Sequence, residues 1–145
     1  MAAYIVIKKM ETNTASINLC DDGIIRVMLK KKSEITQTDV EENINTYIEI
    51  SDHKKYAFLI YSEDGTVVYT DEARKKAKDL ESTFDKTCMA VLVKTLGHKL
   101  IANFYLNFYK PNFPFKVFNK MDEAEAWCIE QNQKQIYDTV KALLF

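Results

Sequence analysis

Glycine and proline are scarce in this 145-residue chain, with three and two copies, about 3% together against a usual ~12%. Gly23, Gly65 and Gly97 also stand far apart. A dinucleotide-binding fingerprint or a phosphate loop needs several glycines within one turn, so that backbone N–H groups can approach a phosphate. Neither can be written here, and a GxSxG nucleophile elbow is missing for the same reason. Charge of one sign is lacking too: 20 basic and 21 acidic residues leave a formal charge of −1. Nucleic-acid binding requires a surplus of Lys and Arg to displace counterions, so no nucleic-acid partner is expected, and no polybasic membrane anchor. No apolar stretch approaches the ~18 residues of a membrane span. The apolar run near the amino terminus, Tyr4-Ile-Val-Ile7, is too short for a secretory signal and has no positive charge before it.

Histidine is nearly absent. His53 lies in the Lys-rich turn Ser51-Asp-His-Lys-Lys55 and reads as solvated. His98 has no short motif pairing it with Cys, Ser or an acid, and a triad would have to be assembled by the fold. Without HExxH, clustered His/Cys or an EF-hand loop, no metal and no cofactor is expected. The carboxylate pairs Asp21-Asp22 and Glu63-Asp64 flank glycines and suit turns, while Asp71-Glu72 suits the first turn of a helix. Nothing then demands acid–base catalysis, and the chain is expected not to be an enzyme. Cys20, Cys88 and Cys128 are widely spaced in apolar company. They read as buried free thiols, which favours a reducing compartment and a cytoplasmic location.

What is present is core: 47% of the residues are apolar, enough for one domain over 1–145. Residues 1–14 form an amino-terminal arm or an extra strand. Asp22-Gly23 between Ala15–Cys20 and Ile24–Leu29 predicts a β-hairpin. Thr36 or Thr38 caps a helix to about Ile50 on which Val40, Ile44, Tyr47 and Ile48 recur. Continuous apolar runs at 56–61 and 88–93 predict buried strands. Thr70 caps a helix through about Leu80, and a short turn follows over 81–84. A helix over 100–109, a turn braced by Pro111 and Pro114, a strand at 115–118 and a helix from Asp122 complete the chain. Ala126, Trp127 and Ile129 should face inward, with Trp127 largely buried. The extension 131–145 carries Ile136, Val140, Leu143 and Leu144 at helical spacing and should be helical and packed, on its own sheet or on a second copy. This is an α/β pattern with a mixed sheet.

Aromatics crowd the segment from Phe104 to Phe118: Phe104, Tyr105, Phe108, Tyr109, Phe113, Phe115 and Phe118. Core packing around the Pro-braced turn is one reading; an apolar pocket or a protein interface is the other. Lys110, Lys116 and Lys120 are too few for base stacking to be attractive.

Residues from about 15 to 130 resemble the SpoIIAA-like (STAS-like) proteins, an uncharacterised bacterial family. The resemblance rests on Asp22-Gly23-Ile24-Ile25, Tyr56-Ala-Phe-Leu-Ile60, Glu72-Ala73-Arg74 and Ala90-Val-Leu-Val93. Its closing signature is Ala102-Asn103-Phe104-Tyr105-Leu106, Lys110-Pro111-x-x-Pro114, Val117-Phe118 and Glu123-Ala124-x-x-Trp127. It implies an α/β SpoIIAA-like domain, a mixed sheet opened by a hairpin and continued by alternating helices and strands. Relatives in fold include anti-sigma-factor antagonists, phosphorylated on a Ser at the start of the second helix, and lipid-binding domains. Ser62, Thr66 and Thr70 lie in the corresponding connection, where a phosphate near a helix amino terminus is tolerated, although the usual Asp-Ser pair is absent and Thr70 serves as a cap. Arg74 reads as an anion clamp or as half of a surface ion pair. The expected function is a non-enzymatic regulatory or protein-interaction module, a homodimer or bound to an unidentified protein. Its surface would join 62–74 to Phe104, Tyr105, Phe108 and Tyr109. A small-molecule or lipid carrier with an aromatic-lined pocket is the alternative.

Overall fold

The computed structural model describes residues 3–31, 34–63, 68–100 and 110–144. Strands β1 (Val6–Glu11), β2 (Ala15–Cys20) and β3 (Ile24–Leu29) precede helix α1 (Gln37–Ser51). Then follow β4 (Ala57–Ser62), α2 (Asp71–Leu80) with a short 3-10 turn at Glu81–Thr83, β5 (Cys88–Leu92), β6 (Phe115–Phe118) and α3 (Met121–Leu144). Residues 96–100 are also helical; the rest of the helix expected over 100–109 lies outside the described residues. The six strands are ordered β1-β2-β3-β4-β5-β6. The first three pair antiparallel and β3 to β6 pair parallel. The amino-terminal segment is thus an extra strand.

The Asp22-Gly23 pair makes the expected hairpin, with Ile17 opposite Val27 and Leu19 opposite Ile25. Gly23 has φ +80°, and a Cβ there would come within 2.9 Å of the Asn132 side chain. Both the turn and the approach of α3 therefore require glycine. Capping follows the sequence: the Thr36 hydroxyl accepts from the Asp39 amide while the Asp39 carboxylate accepts from the Thr36 amide, a reciprocal capping box.

Side-chain alternation splits the core in two. On one face Ile17, Ile25, Val27 and Phe58 meet Val40, Ile44, Tyr47 and Ile50 of α1, with Ala73 of α2 in the same cluster. Phe58, Tyr47 and Phe84 form a ring triangle with centroids 5.1 to 5.5 Å apart. Buried Asn43 fastens α1 to the β1–β2 turn, donating to the Thr14 hydroxyl at 3.0 Å and accepting from that of Thr12 at 2.6 Å. On the other face Ile24, Leu59, Cys88 and Ala90 meet Ala124 and Cys128 of α3.

Three expectations are corrected. Ala126 is exposed, because the inner face of α3 is carried by Ala124, Glu125 and Cys128. Trp127 is only half-buried: it packs on Phe118 at 5.6 Å, and Phe118 belongs to the edge strand β6, so nothing of the sheet lies beyond it. The extension after Gln131 is helical but not packed on its own sheet. Ile136, Leu143 and Leu144 are 65%, 80% and 70% exposed, because α3 is longer than the sheet it crosses. Its last side-chain bonds to the sheet are made by Asn132, and the twelve residues beyond extend about 18 Å.

Phe58 is fully buried at the centre of the ring triangle. Phe58→Ala should lower the unfolding free energy by about 3–5 kcal/mol, measured by urea denaturation, while an exposed-site control such as Lys75→Ala should move it little.

Candidate functional site

Between the sheet and the α1–α2 layer lies a cavity of about 440 Å³. Ile60, Met89, Val91 and Phe115 form its floor, and Ile44, Tyr47 and Ala77 stand opposite them on the helices. Phe113 and Phe115, their rings 6.0 Å apart, supply the aromatic end. Lys86 braces that end, its ammonium 3.7 Å from the Phe84 ring centroid and 4.4 Å from that of Phe113. Burial draws the Lys86 amine down to about 8, against the opposing pull of Glu81 and Asp85.

Polar groups in the lining are few. Tyr47 and Tyr69 are among its lining residues, and burial pushes both phenols up, Tyr69 to about 12. Arg74 and Lys78 stand one turn apart on α2 and are about half-exposed, which places two cations at the mouth. Arg74 donates to the Tyr69 carbonyl at 2.8 Å and pairs with Asp71; Lys78 pairs with Glu81 at 3.1 Å. The Arg74–Asp71 pair is exposed, and a pair of that kind holds its partners weakly.

The structure therefore brings Ser62 and Arg74 to one cavity. Thr70 is engaged otherwise, its hydroxyl accepting from the Ala73 amide at 3.0 Å as the cap of α2. Thr66, Phe104, Tyr105, Phe108 and Tyr109 lie outside the described residues. His53 and His98 are both exposed. Among the described residues, no group of three His, Cys, Asp or Glu is placed to hold a metal ion. No described helix is long and apolar enough to cross a membrane.

A second constellation escaped the sequence reading. Arg26 on β3 is 2% exposed and is held by both oxygens of Asp22, at 3.1 and 2.9 Å, and by Glu125 of α3 at 2.5 Å. Tyr4 lays its ring 3.6 Å from the guanidinium carbon, while Arg26 Nε is buried with no partner among the described residues. Burial works against the charge, but the hydrogen bonds that Arg26 donates to Asp22 and Glu125 outweigh it and raise the guanidinium pKa. Asp22 thus does more than build a turn. Arg26 occupies an alternate position in an apolar strand, a pattern that ordinarily marks a solvated face, so only the fold reveals its burial.

The family described as a domain of unknown function, DUF7793, matches residues 18–132. The chain belongs to that family. No curated protein sequence matches it. In the crystal structure of an uncharacterised DUF3478-family protein from Shewanella loihica PV-4, described as having a SpoIIAA-like fold, 97% of that chain aligns with 88% of this one. The TM-score is 0.53 and the identity 11%. This DUF7793 domain accordingly has the SpoIIAA-like fold that the sequence resemblance implied. A protein of unknown function from Arthrobacter sp. FB24 is 20% identical over 77% of this chain and 96% of its own, with a TM-score of 0.31, too low to carry an argument.

Two predictions follow from these geometries. Removing Glu125 leaves Arg26 paired with Asp22 but takes away the charged hydrogen bond that ties it to α3, so Glu125→Ala should cost about 1.5–3 kcal/mol. The double change Arg26→Met with Glu125→Leu should cost less than Arg26→Met alone, which leaves two carboxylates without their cation, as read from paired denaturation curves. In alkali, Tyr47 and Tyr69 hold their protons above the ordinary phenol value of 10.0, whereas the unfolded chain releases them there. The contribution of Tyr69 to stability is complete below pH 10 and is lost as the pH rises through about 12, and that of Tyr47 is likewise lost in alkali. In a tyrosinate absorbance titration they should be the last phenols to ionise, together with unfolding.

Proposed function

We propose that this domain is a non-enzymatic, cytoplasmic binding module that carries a small amphipathic molecule with an anionic head group, such as a fatty acid. The observation supporting this reading is the cavity: its volume lies within the ~300–1,000 Å³ of small-molecule pockets, and its lining is largely apolar with a few placed polar groups. An acyl chain would lie between Val91 and Ala77, where burial of apolar surface supplies the affinity. Arg74 and Lys78 at the mouth would exchange their weak surface partners for the ligand's carboxylate. A catalytic set is not part of this reading, since carriage needs only shape and charge at the mouth.

A second reading, a regulatory interaction module that self-associates or binds a protein, is favoured by the apolar stripe of Ile136, Val140 and Leu143 on the projecting end of α3. One experiment separates the two. A native mass spectrum of the purified chain should carry an added mass of a few hundred daltons, and a fluorescent fatty acid should bind with micromolar affinity. Ala77→Trp, which fills the cavity, should weaken that binding at least ~10-fold, and Arg74→Ala several-fold. A ligand-free dimer that ignores the fatty acid would overturn the carrier reading and leave the interaction module.

A further inference from the structure

Two of the three thiols lie in one buried cluster at the seam between helix and sheet. Cys88 opens β5, Cys128 lies on the inner face of α3, and both are fully buried in one cluster with Ala90 and Ala124. A separate contact fixes their alignment. The Thr87 hydroxyl, on the residue before Cys88, donates to Asn132 Oδ1 at 2.6 Å, one helical turn beyond Cys128. Asn132 also donates to the Gly23 carbonyl at 2.9 Å, so α3 is registered against two places on the sheet. Within that register Cys88 and Cys128 share one buried cluster, and the Thr87 hydroxyl stands 3.9 Å from the Cys88 sulfur. Cys20 belongs elsewhere, beside Arg26.

We propose that Cys88 and Cys128 are a reversible disulfide pair, joined by hydrogen peroxide or a similar peroxide, so that oxidation fastens α3 covalently to β5. The Cys88 thiolate attacks one peroxide oxygen, and the O–O bond breaks. Cys88 becomes a sulfenic acid, while the departing hydroxide takes up the proton Cys88 released and leaves as water. Cys128 sulfur then attacks the Cys88 sulfur, the S–O bond breaks, and a second water leaves with the Cys128 proton. Two thiols have lost two electrons and the peroxide has gained them. The order of roles agrees with the acidities: the neighbouring Cys128 thiol holds the Cys88 thiol below its ordinary value, while Cys88 and burial push Cys128 up. Since neither sulfur meets solvent, the peroxide enters only when α3 lifts, and the Asn132 contacts set how often that happens.

The test is exposure of the reduced full chain to hydrogen peroxide, read by intact mass and by peptide mapping without reductant. The expected result is a loss of about 2 Da, a single Cys88–Cys128 link, and full reversal by dithiothreitol. Amide exchange along α3 should slow in the oxidised form, and Asn132→Ala should speed oxidation several-fold. Cys20→Ala should give the same mass loss and the same link as the unaltered chain. Oxygen additions without the mass loss, a link through Cys20, or a mass loss that persists in Cys128→Ser would overturn the proposal. The map of the unaltered chain and of Cys20→Ala decides the matter even where Cys128→Ser fails to fold.

Discussion

Strands β3 to β6 run parallel, and a parallel sheet must be covered on both faces. Phe58 and Leu59, successive residues of β4, are each fully buried yet point to opposite sides. Because one strand needs two covers, the chain must send helices to both faces, with α1 and α2 on one and α3 on the other. Cover is unequal, and that inequality creates the features of interest. Over β5 and β6 the α1–α2 layer stands off from the sheet, leaving the cavity. At β3 the second cover packs on Ile24, but beside that contact it reaches the sheet through the carboxylate of Glu125, and Arg26 answers it.

The ionic cluster is an expensive way to close that gap. Removing a guanidinium and two carboxylates from water costs several kcal/mol per ion, returned only when geometry and hydrogen bonding are close to complete. Asp22 meets Arg26 with both oxygens and Glu125 adds a third bond, and among the described residues Nε is buried without a partner. What an apolar patch would lack is direction. Glu125 and Asn132 lie on one face of α3, two turns apart, and together they fix its rotation and its translation over the sheet.

Much of this fold can be read from residue order. Asp22-Gly23 marks the hairpin because few other pairs accept a left-handed backbone at a two-strand turn, and Thr36 and Thr70 mark helix starts because a hydroxyl there satisfies an orphan amide. The unbroken apolar runs that became β4 and β5 announce strands buried on both sides. Features made by topology are not legible in the same way. Arg26 sits in its strand as a solvated residue would, and Cys88 and Cys128 stand too far apart in sequence to suggest contact. Ser62 and Arg74 were both visible as candidates, but the cavity uniting them is formed by elements distant in the chain. The periodicity of Ile136, Val140 and Leu143 is correctly helical, yet periodicity carries no information about what lies against a face. Trp127 illustrates the same limit: an apolar helical position is half-covered when the strand beneath it is the last in the sheet.

The extra strand β1 forms one margin of the sheet and so presents unpaired amides and carbonyls along its outer side. Its composition opposes the hazard this creates. Lys8, Lys9 and Glu11 charge the margin, and a break in register between Val6 and Lys8 bends it. An approaching foreign strand would have to desolvate those charges and match an irregular ladder. The sheet is thereby given a definite width, and its apolar tip at Ile5 and Ile7 remains exposed without inviting growth into a fibril.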